Sequence, residues 1–288
     1  MTEHFADRLS RLIEERGPIC AGLDPRQNQL PKDTTDIAWG RGVIRTLRDQ
    51  VAAFKPQIAF WDDSWEKLDA LQDFDGSYGD AICLADCKRG DIGSTAKAYA
   101  DTIFERTWVD AITLNPYLGE DSLQPFVDAA EEQNRGLFVL VQTSNPGAKD
   151  LQQQVCPSNS RGLTVAQRVA MLVHKLGERL PKSESGRTRI GAVVGLTVSS
   201  IEIADLRKLM PNSFFLMPGY GAQGGDPECF KAALDAQGGG VLVSASRSLT
   251  LPWTVSTNPI SSGETPVEWE KRIGIECKLM KAELEQTV

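Results

Sequence analysis

Two aspartates and a lysine follow directly from an apolar run near position 85. Residues 82–85 read ICLA and residues 86–91 read DCKRGD. Residues two apart on an extended strand share a face, so Asp86 and Lys88 should project together while Cys87 points away. Neighbouring carboxylates keep a lysine protonated, and a protonated lysine can stabilise negative charge and donate a proton. A salt-bridged strand end without catalytic function is the alternative interpretation.

The elements that must position this cluster alternate along the whole chain. Short apolar runs predict strands at residues 19–24, 53–59, 81–87, 111–115, 137–143, 190–196, 214–217 and 240–244. Amphipathic periodicity predicts helices at residues 3–16, 35–50, 62–74, 94–108, 120–134, 162–180, 200–210, 227–237 and 266–285. Polar residues 145–161 and 181–189 are expected to be surface loops.

Eight strand–helix units predict an α/β protein with a closed (β/α)8 TIM barrel. We expect one domain over residues 1–288, with an extra N-terminal helix before the first strand. A doubly wound open sheet is the structural alternative. The chain has 288 residues and a hydrophobic content of 41%, which suffices for a sizeable core.

Charge and composition narrow the classes of partner. The net charge of −8 disfavours nucleic acid or an anionic membrane surface as the main partner. No apolar run approaches the length of a membrane span, and residues 1–16 carry too many charges for a secretion signal, so we expect a cytoplasmic protein.

Cysteine and histidine offer little for catalysis. The six cysteines are scattered without a Cys-x-x-Cys spacing, which predicts reduced thiols rather than zinc ligands or disulfides. His4 and His174 lie in helix-like segments and are expected to be ordinary surface residues.

Polar groups follow the predicted strands at their C-terminal ends, where barrels carry their active sites. Beyond the 86–91 cluster, the strand ends supply GLDP at 22–25, FKPQ at 54–57, TSNPG at 143–147, PGYGAQGG at 218–225 and Arg247. Glycine-rich backbone together with an arginine is suited to binding phosphate, and barrels often bind phosphate after strands seven and eight. Tight turns also need glycine, so the glycine run alone is weak evidence.

Taken together and in this order, these motifs resemble the orotidine 5′-phosphate decarboxylase family. The Asp86-x-Lys88-x-x-Asp91 pattern carries the likeness with the four other strand-end motifs. The TSNPG segment is similar to that of the longer bacterial branch. The resemblance runs from strand one to strand eight.

The resemblance implies four catalytic residues. Lys88 matches the proton donor, Asp86 matches the carboxylate that faces the substrate carboxylate, and Lys55 matches the lysine that bridges the charge network and a ribose hydroxyl. Asp91 matches an aspartate that the family contributes across a homodimer interface, so each site would borrow it from the partner chain.

Further positions match the family's substrate-binding residues. Asp24 and Thr95 correspond to ribose contacts, Ser144 to the pyrimidine-amide contact, and Gln223 and Arg247 to phosphate contacts. Pro218 is also expected among the substrate-binding residues. Ser246 departs from shorter relatives, many of which carry glycine before the arginine.

The implied reaction removes CO2 from orotidine 5′-phosphate to give uridine 5′-phosphate, the last step of de novo UMP synthesis, without cofactor or metal. One alternative is a related barrel that uses Mg2+ on sugar phosphates. Those relatives carry an acidic ligand where this chain has Lys55, and a cation there repels a divalent metal. A catalytically silent phosphate-binding protein is the other alternative, although such a protein would be expected to have lost part of the charged network.

Overall fold

The computed structural model describes residues 3–72, 77–156, 162–220, 227–255 and 264–287. Within these residues eight parallel strands form one closed barrel in chain order, and the last strand pairs with the first. The strands are β1 Ile19–Leu23, β2 Ala53–Pro56, β3 Ile82–Arg89, β4 Ala111–Leu114, β5 Gly136–Gln142, β6 Thr188–Val194, β7 Ser213–Pro218 and β8 Val241–Ala245. The prediction of a closed barrel is confirmed, and the open-sheet alternative is wrong.

Helices cover the outside of the barrel between the strands. They are α1 Phe5–Arg16, α2 Asp36–Leu47, α3 Trp65–Asp69, α4 Gly93–Phe104, α5 Glu120–Glu132, α6 Ala148–Leu151, α7 Val165–Glu178, α8 Ser200–Leu209, α9 Pro227–Ala233, α10 Arg247–Thr250 and α11 Pro266–Thr287. In the described ranges, none of these helices is both long and apolar enough to cross a membrane.

Several element boundaries differ from the sequence prediction. The stretch 145–161, predicted to be a loop, contains the short helix α6, and β6 begins at Thr188 within the predicted loop 181–189. Two further differences lie between β2 and β3. The helix predicted over residues 62–74 is shorter, because Asp62 and Asp63 have positive φ angles of 57° and 54° and α3 starts only after the cap of Ser64. Strand β2 ends at Pro56, and the chain turns into a 3-10 segment at Ile58–Trp61 instead of continuing to residue 59.

The barrel interior is apolar at the N-terminal end of the strands. Side chains from alternating strand positions pack there, and helix α1 inserts Phe5, Leu9 and Leu12 against them, so the extra N-terminal helix closes this end. The ring of Phe5 approaches so closely that a Cβ on Gly136 would lie 2.1 Å from it. The interior strand residues of this cluster are Cys20, Ala53, Ile82, Leu84, Ala111, Phe138, Val193, Phe214, Leu216 and Leu242.

The same alternation brings polar residues inward at the opposite end. Lys55 follows the interior Ala53 by two positions, and Asp86 follows the interior Leu84 by two. Successive side chains of a strand point to opposite faces, so Lys55 and Asp86 share the inner face of the barrel. Both residues are buried. The C-terminal mouth is therefore the polar end.

The structure shows the surroundings of the cysteines and of His4. The six cysteines are thiols that form no disulfide in the described structure, and five of them are buried. His4 is not an ordinary surface residue: it is partly buried and caps α1, with its ring Nδ1 accepting a hydrogen bond from the backbone N–H of Ala6 at 3.1 Å.

Candidate active site

Asp86 lies at the centre of a charge network in the mouth of the barrel. Its Oδ2 accepts a hydrogen bond from Lys55 Nζ at 2.9 Å, and its Oδ1 accepts one from Lys88 Nζ at 2.6 Å. Thr113 on β4 donates its hydroxyl to the same Oδ1 at 2.8 Å. One carboxylate thus holds two ammonium groups that come from neighbouring strands β2 and β3.

Burial and charge oppose each other in this network. Desolvation alone would raise the pKa of Asp86, but the ammonium groups of Lys55 and Lys88 lower it well below its usual value. Desolvation would likewise lower the pKa of Lys55, whereas the carboxylates of Asp86 and Asp24 raise it above its usual value. Both Asp86 and Lys55 are therefore charged at neutral pH.

Lys88 has an unusual backbone. Its φ angle is 46°, in the left-handed region that a non-glycine residue adopts at a cost of about 1–3 kcal/mol. The register between β3 and β4 shifts here, from Ala85 opposite Ile112 to Arg89 opposite Leu114, which leaves two extra residues on β3. Such a bulge redirects side chains.

The side-chain directions predicted for β3 are confirmed. Asp86 and Lys88 contact each other, while Cys87 points elsewhere and its Sγ donates to the backbone oxygen of Thr113 at 3.7 Å. Strand alternation alone does not explain these side-chain directions, because the backbone of Lys88 is not extended. The Lys88 side chain is 44% exposed, against 10% for Asp86, so the ammonium lies between the buried carboxylate and the open mouth.

Asp91 lies apart from this network within one chain. Its Oδ1 accepts the backbone N–H of Ile92 at 2.8 Å, and within the described residues it makes no ion pair with Lys88. Ile92 and Tyr99, on or beside α4, are exposed apolar residues close to Asp91 in the chain, and Tyr117 and Leu118 are exposed after β4.

A cavity of about 250 Å³ opens beside the charge network. It contains three of the predicted substrate-binding residues, Asp24, Pro218 and Arg247, together with Lys55 and Asp86. The remaining lining residues are Arg26, Gln57, Gly219, Tyr220, Ser244 and Ser246.

Three predicted binding residues do not line this cavity as described. Thr95 is exposed near the start of α4, four residues after Asp91 in the sequence. Ser144 is half-buried after β5, and its backbone oxygen accepts the hydroxyl of Thr197 at 3.4 Å. Gln223 lies outside the described residues, as do the glycines at 221, 224 and 225.

The loop after β8 brings Arg247 to the cavity. Ser246 packs its side chain against Gly22 of β1 so closely that a Cβ on Gly22 would lie 2.0 Å from the Ser246 hydroxyl. Arg247 begins α10 directly afterwards. Because residue 22 is glycine, β1 leaves room for the side chain of Ser246, the residue before Arg247.

Two residues of this site escaped the sequence analysis. The residues predicted for the site include none from β4, although the lone hydroxyl of Thr113 in the run 111–114, which reads AITL, was an available signal. Arg26 follows the GLDP motif directly. Its guanidinium stacks 4.8 Å from the ring centre of Phe60, and its buried Nε has no hydrogen-bond partner among the described residues.

The fold is a closed parallel barrel, and a lysine–aspartate network lies at the C-terminal ends of its strands. These two features define a barrel enzyme with a charged active-site mouth. Residues 17–251 match the model of the orotidine 5′-phosphate decarboxylase / HUMPS family. The chain therefore belongs to this family, and the resemblance predicted from the strand-end motifs is confirmed.

Individual relatives are similar to this protein over most of its length. An orotidine 5′-phosphate decarboxylase of Rhodopirellula baltica is 38% identical over 271 residues, covering 85% of this chain and 87% of the relative. One from Clostridium botulinum strain Loch Maree is 36% identical, covering 86% and 89%. The solved structure of Leishmania donovani OMP decarboxylase has a TM-score of 0.74 at 26% identity and covers 99% of this chain and 98% of that chain.

Proposed function

We propose that this enzyme decarboxylates orotidine 5′-phosphate to uridine 5′-phosphate without a metal, and that Lys88 donates the proton. The observation that carries the proposal is the single carboxylate of Asp86 holding both Lys55 and Lys88 at the mouth of the barrel. Family membership and relatives named for this activity support the same substrate.

The reaction requires stabilisation of a carbanion. When the C6–carboxylate bond breaks, its electron pair stays on C6 in the plane of the pyrimidine ring, where the ring π-system cannot delocalise it. An ammonium about 3.5 Å from C6 would stabilise this pair by roughly 5 kcal/mol at an effective dielectric constant near 20. Lys88 then transfers its proton to C6, which yields uridine 5′-phosphate, and the neutral amine takes a proton from solvent.

A fixed charge arrangement makes this stabilisation effective. Asp86 binds Lys88 through Oδ1 and Lys55 through Oδ2, so neither ammonium has to be oriented during the reaction. Preorganised charge of this kind lowers the barrier because the protein need not rearrange as charge develops. Lys55 also disfavours the Mg2+-dependent alternative, since its ammonium occupies the position where a metal would need an acidic ligand.

The cavity has the charge for a nucleotide monophosphate. Arg26, Lys55 and Arg247 line it together with the carboxylates of Asp24 and Asp86, which gives an excess of one positive charge. In the proposal Arg247 and Gln223 bind the phosphate, while Asp24, whose buried Oδ1 lacks a partner in the described structure, accepts a ribose hydroxyl. Pro218 lines the wall, and Ser144 reaches the pyrimidine amide.

The proposal includes a homodimer in which Asp91 completes the partner's site. Ile92, which follows Asp91 directly in the chain, is 59% exposed, and Tyr117 after β4 is 77% exposed. Large exposed apolar side chains favour burial against a second copy of the same surface. We also infer a reducing compartment, the cytoplasm, because none of the six cysteines forms a disulfide in the described structure.

The decisive experiment measures CO2 release and uridine 5′-phosphate formation from orotidine 5′-phosphate in the presence of EDTA. Full turnover after removal of divalent cations is expected. Activity that requires added Mg2+ would instead favour the sugar-phosphate chemistry of the metal-dependent relatives. Tight nucleotide binding without CO2 release would favour a silent binding protein.

A further inference from the structure

We propose that Thr113 is the positioning residue for the proton donor, tying the backbone of Lys88 to the carboxylate of Asp86. This inference rests on the proposed role of Lys88 in decarboxylation. Thr113 lies on β4, next to the bulged end of β3, and its side chain is buried with 1% of the residue exposed. Thr113 is not among the residues for which the family resemblance implies a role.

The hydroxyl of Thr113 makes two hydrogen bonds whose directions are determined by chemistry. Oγ1 accepts the backbone N–H of Lys88 at 2.9 Å, and the same hydroxyl donates to Asp86 Oδ1 at 2.8 Å. An amide N–H can only donate and an ionised carboxylate can only accept, so the single hydroxyl proton must point to Asp86.

These bonds close a ring through both ends of Lys88. Its backbone nitrogen is bound to Thr113, Thr113 is bound to Asp86 Oδ1, and that oxygen is bound to Lys88 Nζ at 2.6 Å. The ring therefore holds the start and the tip of the lysine side chain relative to one carboxylate oxygen.

The bulge in β3 explains why the backbone N–H of Lys88 needs a side-chain acceptor. Between Ala85 and Arg89 the regular pairing of β3 with β4 is interrupted, and Lys88 adopts a φ angle of 46°. An unpaired buried N–H and a left-handed lysine are both unfavourable, so they persist only where other contacts compensate. The Thr113 hydroxyl supplies the missing acceptor at this position and so supports the conformation that directs Lys88 to the mouth.

Two matched pairs of variants isolate the hydroxyl. Thr113→Val replaces it with a methyl group of similar size, and Thr113→Ser keeps it while removing the methyl group. If the valine variant does not fold, Thr113→Ala against Thr113→Ser gives the same comparison, because these two differ only in the hydroxyl. We would measure kcat, KM and the Kd for uridine 5′-phosphate, together with the melting temperature and the pH profile.

Loss of a hydrogen bond to a charged group should lower kcat about ten- to a hundredfold in the valine variant. KM and the Kd should stay within about twofold, because phosphate and ribose contacts lie elsewhere, and Thr113→Ser should keep most of the activity. The acidic limb of the kcat/KM profile should move to higher pH, since Asp86 loses a donor to its ionised form. The melting temperature, measured across the same pH range, shows whether a smaller amount of folded protein contributes to the loss of activity.

Wild-type kcat in Thr113→Val or Thr113→Ala would overturn the inference, as would equal losses in the variants with and without the hydroxyl. The outcome for Lys88→Ala separates this failure from failure of the proposed function. If Lys88→Ala is inactive while Thr113→Val is fully active, only the positioning role is wrong. If Lys88→Ala remains active, the proposed mechanism itself is wrong.

Discussion

Lys55 donates to Oδ2 of Asp86 at 2.9 Å, with only 8% and 10% of the two side chains exposed. A buried ion pair costs desolvation free energy, and it persists where the geometry is good and the remaining lone pairs are satisfied. Asp86 meets that condition, because Lys88 and Thr113 occupy its other oxygen. The pair therefore keeps Asp86 ionised at neutral pH in the mouth of the barrel.

Folding stability should depend on pH through Asp86. Its pKa in the folded protein lies below its usual value, so the unfolded chain binds the proton more readily. The contribution is fully present above about pH 5 and is lost as the pH falls toward the lowered pKa. The free energy of unfolding of the wild type should thus fall relative to that of Asp86→Asn between about pH 5 and about pH 3. Denaturant unfolding followed by circular dichroism measures this difference.

Asp101→Asn is the control for that experiment, because Asp101 pairs with Lys97 on the exposed surface of α4. It reports the general effect of removing one negative charge. A constant difference between wild type and Asp86→Asn over this pH range would contradict the lowered pKa of Asp86.

Replacing Lys88 should abolish chemistry and spare binding. Lys88→Ala removes the ammonium beside Asp86 Oδ1, and we expect kcat to fall by roughly 10²–10⁴-fold or more, in line with the loss of a general acid. The Kd for uridine 5′-phosphate, measured by calorimetry, should remain measurable because the phosphate contacts are retained. Lys97→Ala, which removes an exposed lysine of α4, should retain wild-type kcat. Near-normal turnover in Lys88→Ala would refute the assignment.

Arg247 should act on substrate affinity. It lines the cavity after β8, and Arg247→Ala should raise KM about ten- to a hundredfold through loss of a charge-assisted phosphate contact. Steady-state kinetics with orotidine 5′-phosphate tests this. Arg247→Lys keeps the charge without the planar fork and should give an intermediate KM. An unchanged KM in the alanine variant would show that the phosphate binds elsewhere.

Asp91 can be tested by mixing two inactive proteins. Lys88→Ala and Asp91→Asn should each be inactive as homodimers, but a mixed dimer contains one site with both residues intact. Subunit exchange at equal concentrations should restore about a quarter of the wild-type specific activity, because half of the dimers are mixed and each has one complete site. If Lys88 and Asp91 act within the same chain, mixing restores nothing.

The sequence alone predicted the order of the elements and the end of the barrel that carries the chemistry. Each of the eight strands was located to within a few residues, because an apolar run bounded by turn residues is a local signal. The placement of Lys55, Asp86 and Arg247 at one mouth followed from a rule for all parallel barrels, in which strand ends converge. The roles given to them by family resemblance remain predictions.

What the tertiary structure decided is how those side chains meet. The sequence places Thr113 27 residues from Asp86, and only the pairing of β4 with β3 brings its hydroxyl within 2.8 Å of the carboxylate. The bulge that turns Lys88 to a positive φ depends on that same register, which is a property of two strands rather than of either one. Local patterns determine which face a residue occupies, whereas hydrogen bonds between strands depend on contacts made only when the barrel closes.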